Sequence, residues 1–108
     1  MQESYTLEKF NSGRTVVGDA ITELAKTDDR IWLLTPDIGW GCADFKAAYS
    51  GRFIDTGIAE QCVVGVSAGL ALEGSIPFII GMMPFMSMRD LEQVRTDLCY
   101  QNLPVRII

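Results

Sequence analysis

The stretch Arg52-Phe-Ile-Asp-Thr-Gly-Ile-Ala-Glu-Gln61 has the clearest structural signature in the chain. Residues 52–55 are interpreted as a short strand, and a nearly all-apolar helix is predicted from about 59 to 73. A strand that leads through a glycine turn into a helix is part of a βαβ unit. Because ligands of open α/β sheets bind at the carboxyl ends of the strands, Glu60 is expected to face the crevice.

The same alternation of strands and helices continues in both directions. Apolar spacing predicts helices over about 14–26 and 42–50, and strands over 31–34, 76–81 and 103–108. Ser87 and Asp90 resemble a capping box that starts a fourth helix. The predicted fold class is therefore α/β, a mostly parallel sheet with helices on both faces. Since the chain stops on an apolar strand, we expect a domain that is incomplete or completed by another polypeptide.

Composition limits the classes of function. The 108 residues suit one domain, and a net charge of −5 with scattered basic residues argues against nucleic-acid binding. There is no histidine, which excludes Ser-His and Cys-His nucleophile pairs and an ordinary zinc site. Three cysteines without a C-x-x-C pair indicate reduced, buried thiols in a cytoplasmic protein. The apolar stretch 62–83 is broken near Gly74, so no membrane span is predicted.

Glu60 has two interpretations that the residues alone leave open. It can simply complement the positive end of the helix, as acidic residues in a first turn often do. Alternatively, a carboxylate set against so much apolar sequence is partly desolvated and suited to share a proton with a ligand.

Several segments in order resemble one known family. They are Gly57-Ile-Ala-Glu-Gln61, Val64-Gly-Val-Ser-Ala-Gly-Leu-Ala71 and Ile76-Pro-Phe78, with 30–37 and 92–108 on either side. Together they resemble the pyrimidine-binding domain of the transketolase family, over nearly the whole chain from Arg14 onward. The resemblance implies a C-terminal subunit of a thiamine-diphosphate enzyme, truncated in this chain.

The resemblance assigns a catalytic role to Glu60. The matching glutamate of the family hydrogen-bonds N1′ of the cofactor's aminopyrimidine, so that the 4′-nitrogen can remove the proton from the thiazolium C2. The implied reaction transfers a two-carbon ketol unit from a ketose phosphate to an aldose. No histidine base is required, because the cofactor's own amine accepts the proton.

Other positions carry over from the same resemblance. Phe85 matches an aromatic residue that packs on the pyrimidine ring, although it could equally be a core phenylalanine. Ile58 stands where the family has an apolar residue near the cofactor. Asp37 matches an acidic residue near the thiazolium, in a segment that also suits an ordinary turn.

Met82 and Met88 stand where the family usually has further aromatic residues of the cofactor pocket. Methionine fills a similar volume and contacts rings through its sulfur, but it is not a rigid plate. The alternative is that these methionines form a soft core or an interface patch. Arg14 matches an arginine that can contact a substrate phosphate, and it also suits the exposed start of a helix.

The chain is divided into a polar N-terminal extension, residues 1–13, and a partial pyrimidine-binding domain, residues 14–108. It has no acidic motif of the kind that holds Mg²⁺ in the family, so no metal ligand is predicted here. We therefore expect Mg²⁺ and the diphosphate to be held mainly by an N-terminal partner subunit, with activity only in that oligomer. The substrates would be sugar phosphates.

Two rival functions remain at this point. The beta subunit of a 2-oxo-acid dehydrogenase uses a similar helix start with the same cofactor. A non-catalytic truncated piece that only binds a partner subunit is the other rival, supported by the end at Ile108.

Overall fold

The computed structural model describes residues 13–108 as a four-stranded parallel sheet with helical segments packed against it. The elements are α1 (Gly13–Leu24), β1 (Ile31–Thr35), α2 (Ala43–Ala48), β2 (Phe53–Asp55), α3 (Glu60–Leu72), β3 (Ile76–Ile79), α4 (Leu91–Gln93) and β4 (Arg106–Ile107). Two π-helical segments, Phe85–Arg89 and Val94–Cys99, flank α4. The predicted N-terminal extension lies outside the described residues except for Gly13, where α1 begins.

The strand order is β2-β1-β3-β4, and every neighbouring pair is parallel. In the centre, Leu33 of β1 is level with Phe53 of β2 and with Phe78 of β3. Because the chain crosses from β2 over β1 to β3, the direction of winding reverses beside β1. In open α/β sheets, ligands bind at such a reversal.

The core has two layers, one on each face of the sheet. Leu33 and Leu34 are both fully buried, and alternation along a strand places them in different clusters. Leu33 packs with residues of α1 and α2, whereas Leu34 packs with residues of α3 and of the two π-helical segments. The predicted α/β fold with helices on both faces is confirmed.

The predicted capping box at Ser87 is wrong. The Ser87 hydroxyl donates a hydrogen bond of 2.7 Å to the carbonyl oxygen of Met83, and so bonds back along its own helix. The Asp90 side chain makes no capping hydrogen bond to α4. The reason is that residues 85–89 already form a π-helical segment, so Ser87 lies inside a helix rather than before one.

The prediction of three buried thiols is correct only for Cys42. Burial, together with the charge of Asp55, raises the pKa of the Cys42 thiol to about 11. Cys62 and Cys99 are exposed, because an apolar helix that packs on one side still presents its other side to solvent. No helix within residues 13–108 is both long and apolar enough to cross a membrane.

A close backbone approach fixes α1 against the loop before α2. A Cβ atom on Gly18 would collide with the carbonyl oxygen of Gly41, which is backbone and cannot turn aside. Gly41 itself has φ of +81°, a conformation that glycine adopts without a steric penalty. The two glycines therefore set the position of the loop that follows β1.

Candidate functional site

The loops after β1, β2 and β3 meet around one hollow at the carboxyl edge of the sheet. Asp37 follows β1, Ile58 and Glu60 follow β2, and Met82 and Phe85 follow β3; all five line a hollow of about 230 Å³. The structure thus brings together five of the seven side chains that the sequence predicted for the site.

Glu60 is the buried charge of this hollow. It is the first residue of α3, and only 4% of its surface is exposed. The N-terminus of a helix carries partial positive charge, which favours a carboxylate at this position. Its Oε2 accepts a hydrogen bond from Nη1 of Arg89 over 3.0 Å. Its Oε1 has no hydrogen-bond partner among the described residues, and so remains available to a donor in the hollow.

Arg89 is itself held by two further contacts. Its guanidinium carbon lies 4.3 Å from the centre of the Phe85 ring, the stacking geometry in which arginine and aromatic rings attract. Its carbonyl oxygen accepts a hydrogen bond of 3.1 Å from Nε2 of Gln61. Sequence reasoning did not select Arg89, because its partner Glu60 is 29 positions away and meets it only in the fold.

Glu60 also lines a second hollow, of about 330 Å³, on another side of its carboxylate. This hollow is lined by Gln61, Cys62 and Arg89, none of which lines the first one. Glu60 and Ile58 are shared by the two. Glu60 thus lines both hollows, and the Arg89 guanidinium that pairs with it also lies against the Phe85 ring.

Asp55 joins two of the loops that form the first hollow. Its Oδ1 accepts hydrogen bonds from the backbone N–H groups of Asp37 and Gly57, each at 2.9 Å. Both donors have positive φ, +64° at Asp37 and +70° at Gly57. Asp37 therefore keeps a backbone conformation that is uncommon for a side-chain-bearing residue, with its N–H anchored.

Two predicted site residues lie elsewhere. Met88 is 75% exposed and does not line the hollow. Arg14, at the start of α1, lines a different hollow together with Met82, and its guanidinium lies 5.5 Å from the centre of the Trp40 ring. Met82 is thus the side chain that connects the Arg14 region with the Glu60 hollow.

Asp90 is a buried carboxyl next to this constellation in the chain. It is fully buried, and neither of its carboxylate oxygens has a hydrogen-bond partner. Burial raises its pKa above the ordinary value of 3.8, and the charge of Glu60 raises it further. A proton on Asp90 would remove the cost of an unpaired buried charge.

No metal centre is formed by the described part of the chain. Residues 13–108 contain no group of three or more cysteine, aspartate or glutamate side chains arranged to hold an ion. The arrangement can instead accept a proton donor at Glu60 and pack a flat ring against Phe85.

Comparison with known proteins agrees with these features. The family model described as "Transketolase, pyrimidine binding domain" matches residues 11–108. The 1-deoxy-D-xylulose-5-phosphate synthase of Clostridium perfringens strain SM101 is 43% identical over 93 residues, covering 83% of this chain and 15% of that protein. The corresponding Thermus thermophilus protein is 38% identical over 103 residues, covering 91% of this chain and 17% of that protein.

A solved structure described as "Split gene transketolase, inactive beta4 tetramer" has the same fold. It superimposes with a TM-score of 0.80 at 38% sequence identity, covering 87% of this chain and 32% of that one. The chain thus spans less than a fifth of the curated relatives described above and about a third of the structural one.

Proposed function

The chain belongs to the family of transketolase pyrimidine-binding domains, and from that premise we propose that it supplies the pyrimidine half of a thiamine-diphosphate site. In this proposal Glu60 activates the cofactor through the aminopyrimidine ring. The observation that carries the proposal is the free Oε1 of a buried, ion-paired glutamate beside a hollow that contains an aromatic ring.

The chemistry of Glu60 suits that role. A carboxylate paired with Arg89 remains an acceptor, and Oε1 would take a hydrogen bond from N1′–H of the ring. Burial strengthens such a hydrogen bond, because little water competes for the oxygen. When bound, thiamine diphosphate supplies both the carbon nucleophile and the electron sink of the reaction.

The remaining residues of the hollow would bind and orient the ring. Phe85 offers an aromatic face, and Ile58 and Met82 add apolar contact that excludes water. Asp37 enters the hollow from the loop after β1 and would lie towards the thiazolium end of the cofactor. Neither Met88 nor Arg14 lines this hollow, so Arg14 is proposed only as a substrate contact at its rim and Met88 has no supported role.

The diphosphate and Mg²⁺ would be held by a partner subunit. The structural relative is described as a split-gene transketolase tetramer, which supports an oligomer with separately encoded subunits. Activity would depend on that assembly, which we place in the cytoplasm.

The proposed reaction is transfer of a two-carbon ketol unit from a ketose phosphate to an aldose. A second candidate is formation of 1-deoxy-D-xylulose 5-phosphate, because the curated relatives described above carry that name. The two differ at C1 of the product, which is a methyl group in a 1-deoxy sugar and a hydroxymethyl group after ketol transfer. A donor that delivers an acetyl unit, such as a 2-oxo acid, would therefore support only the second reaction.

The test is exchange of the cofactor's C2 proton with deuterium by the chain assembled with a diphosphate-binding partner. We expect fast exchange that E60Q reduces by at least about a hundredfold, because the amide cannot replace the carboxylate as proton relay. Product analysis with a ketose phosphate and with a 2-oxo acid then identifies the donor. Exchange at the solution rate in both proteins would leave a chain that binds a partner without catalysis, and would overturn the proposal.

A further inference from the structure

We propose that Arg89 is a positioning residue, which holds one oxygen of Glu60 so that the other oxygen is presented to the cofactor ring. The inference rests on the proposed function and adds a residue to it. Nothing in the motif around Glu60 points to Arg89, because the two residues are 29 positions apart and belong to different elements.

Two hollows adjoin Glu60, and Arg89 and Phe85 each line a different one. Arg89 lines only the hollow of about 330 Å³, and it bonds Oε2 from there. Phe85 lines the other hollow, and its ring supports the Arg89 guanidinium at 4.3 Å. The guanidinium therefore contacts both Oε2 of Glu60 and the Phe85 ring, and it leaves Oε1 without a partner among the described residues.

The charge of Arg89 is the second reason to give it this role. The Glu60 side chain is 5% exposed, and burial of a carboxylate carries a desolvation cost that pairing with an arginine offsets in part. The Arg89 side chain is 47% exposed, so water screens the pair in part, but the guanidinium is the one cation that pairs with Glu60 among the described residues.

The third reason is that other residues hold Arg89 in place. An exposed arginine samples many rotamers, and holding it in one costs conformational entropy. Here the Phe85 ring supports the guanidinium at 4.3 Å, while the Gln61 amide fixes the backbone carbonyl at 3.1 Å. Gln61 follows Glu60 directly, so the start of α3 and the end of the π-helical segment are connected at two points.

The experiment is a double-mutant cycle between Glu60 and Arg89 in the chain assembled with its diphosphate-binding partner. We expect R89Q to slow C2 exchange about tenfold at saturating thiamine diphosphate, and R89K to recover part of the loss because it restores the charge without the planar fork. R95Q is the matched control, since Arg95 pairs with the exposed Glu92 outside the hollows and its loss should leave exchange unchanged.

E60Q itself removes most of the exchange, so the exchange rate is too low to compare in the double mutant. The double-mutant cycle is therefore measured with the dissociation constant of thiamine diphosphate. We expect R89Q to weaken binding about three- to tenfold when Glu60 is present, and less than about twofold in the E60Q background. An equal loss in both backgrounds, or no recovery by R89K, would show that Arg89 acts on folding and would overturn the inference. Loss of the E60Q effect itself would instead overturn the proposed function.

Discussion

Asp55 accepts a hydrogen bond from the backbone N–H of Asp37 over 2.9 Å, although the two residues are 18 positions apart. The same oxygen also accepts the N–H of Gly57. The end of β2 is thereby connected to the loop after β1, and both loops lead to the hollow that Glu60 lines. One exposed carboxylate thus determines how two parts of the site lie relative to each other.

Substitutions at Asp55 test these two hydrogen bonds directly. We expect D55A to lose amide-exchange protection at Asp37 and Gly57 together, and to lower the free energy of unfolding by about 1–2 kcal/mol for two hydrogen bonds. D55N is the matched control, because it keeps Oδ1 as an acceptor and should retain protection at both amides. A change confined to Gly57 would contradict the connection to Asp37.

The position of Glu60 could be predicted from the sequence because its causes are local. A short strand, a glycine turn and an apolar helix lie within the same stretch, and parallel sheets place ligands at that junction. The fold class followed from the same alternation, which the structure confirms in all four strands. Both results depend on residues that are close together in the chain.

The features that the sequence did not predict depend on contacts between distant elements. Arg89 reaches Glu60 only because a π-helical segment follows β3, and no periodic pattern indicates such a segment. The same segment leaves Met88 largely exposed and places Ser87 inside a helix, so the predicted capping box is wrong. Exposure of Cys62 likewise depends on which side of α3 packs on the sheet.

The buried Asp90 predicts a specific dependence of stability on pH. Its folded pKa lies above 3.8, so the folded chain binds this proton more tightly than the unfolded chain does. The stability that this proton contributes is fully present below pH 3.8 and is lost as pH rises through the folded pKa. We therefore expect D90N to raise the free energy of unfolding by about 1–3 kcal/mol at pH 7, with a smaller gain towards pH 4.

The measurement is urea denaturation of both proteins between pH 4 and pH 8. D29N serves as the control, because Asp29 is exposed and its replacement should change stability by less than about 0.5 kcal/mol at any of these pH values. A D90N protein that is less stable than the parent at pH 7 would mean that the charged carboxylate of Asp90 has a partner in solution.

The two methionines predicted for the cofactor pocket should behave differently. Met82 lines the hollow with Phe85 and Glu60, whereas Met88 is largely exposed outside it. We expect M82A to weaken thiamine diphosphate binding about fivefold through lost apolar contact, and M88A to change it less than about twofold. Calorimetric titration of the assembled protein measures both, and equal effects of the two substitutions would contradict the pocket described here.

Replacement by alanine is expected to have opposite effects on stability at Gly18 and at Gly65. A Cβ atom at Gly18 would collide with the carbonyl oxygen of Gly41, and relief requires α1 or the following loop to move. We expect G18A to lower the free energy of unfolding by about 3 kcal/mol, at the upper end for overpacking. Gly65, in α3, has open space where a Cβ would lie and ordinary helical φ, so G65A should add about 0.5–1 kcal/mol through helix propensity. Urea denaturation of the two variants checks both signs, and a stable G18A protein would mean that α1 and the Gly41 loop lie further apart than described.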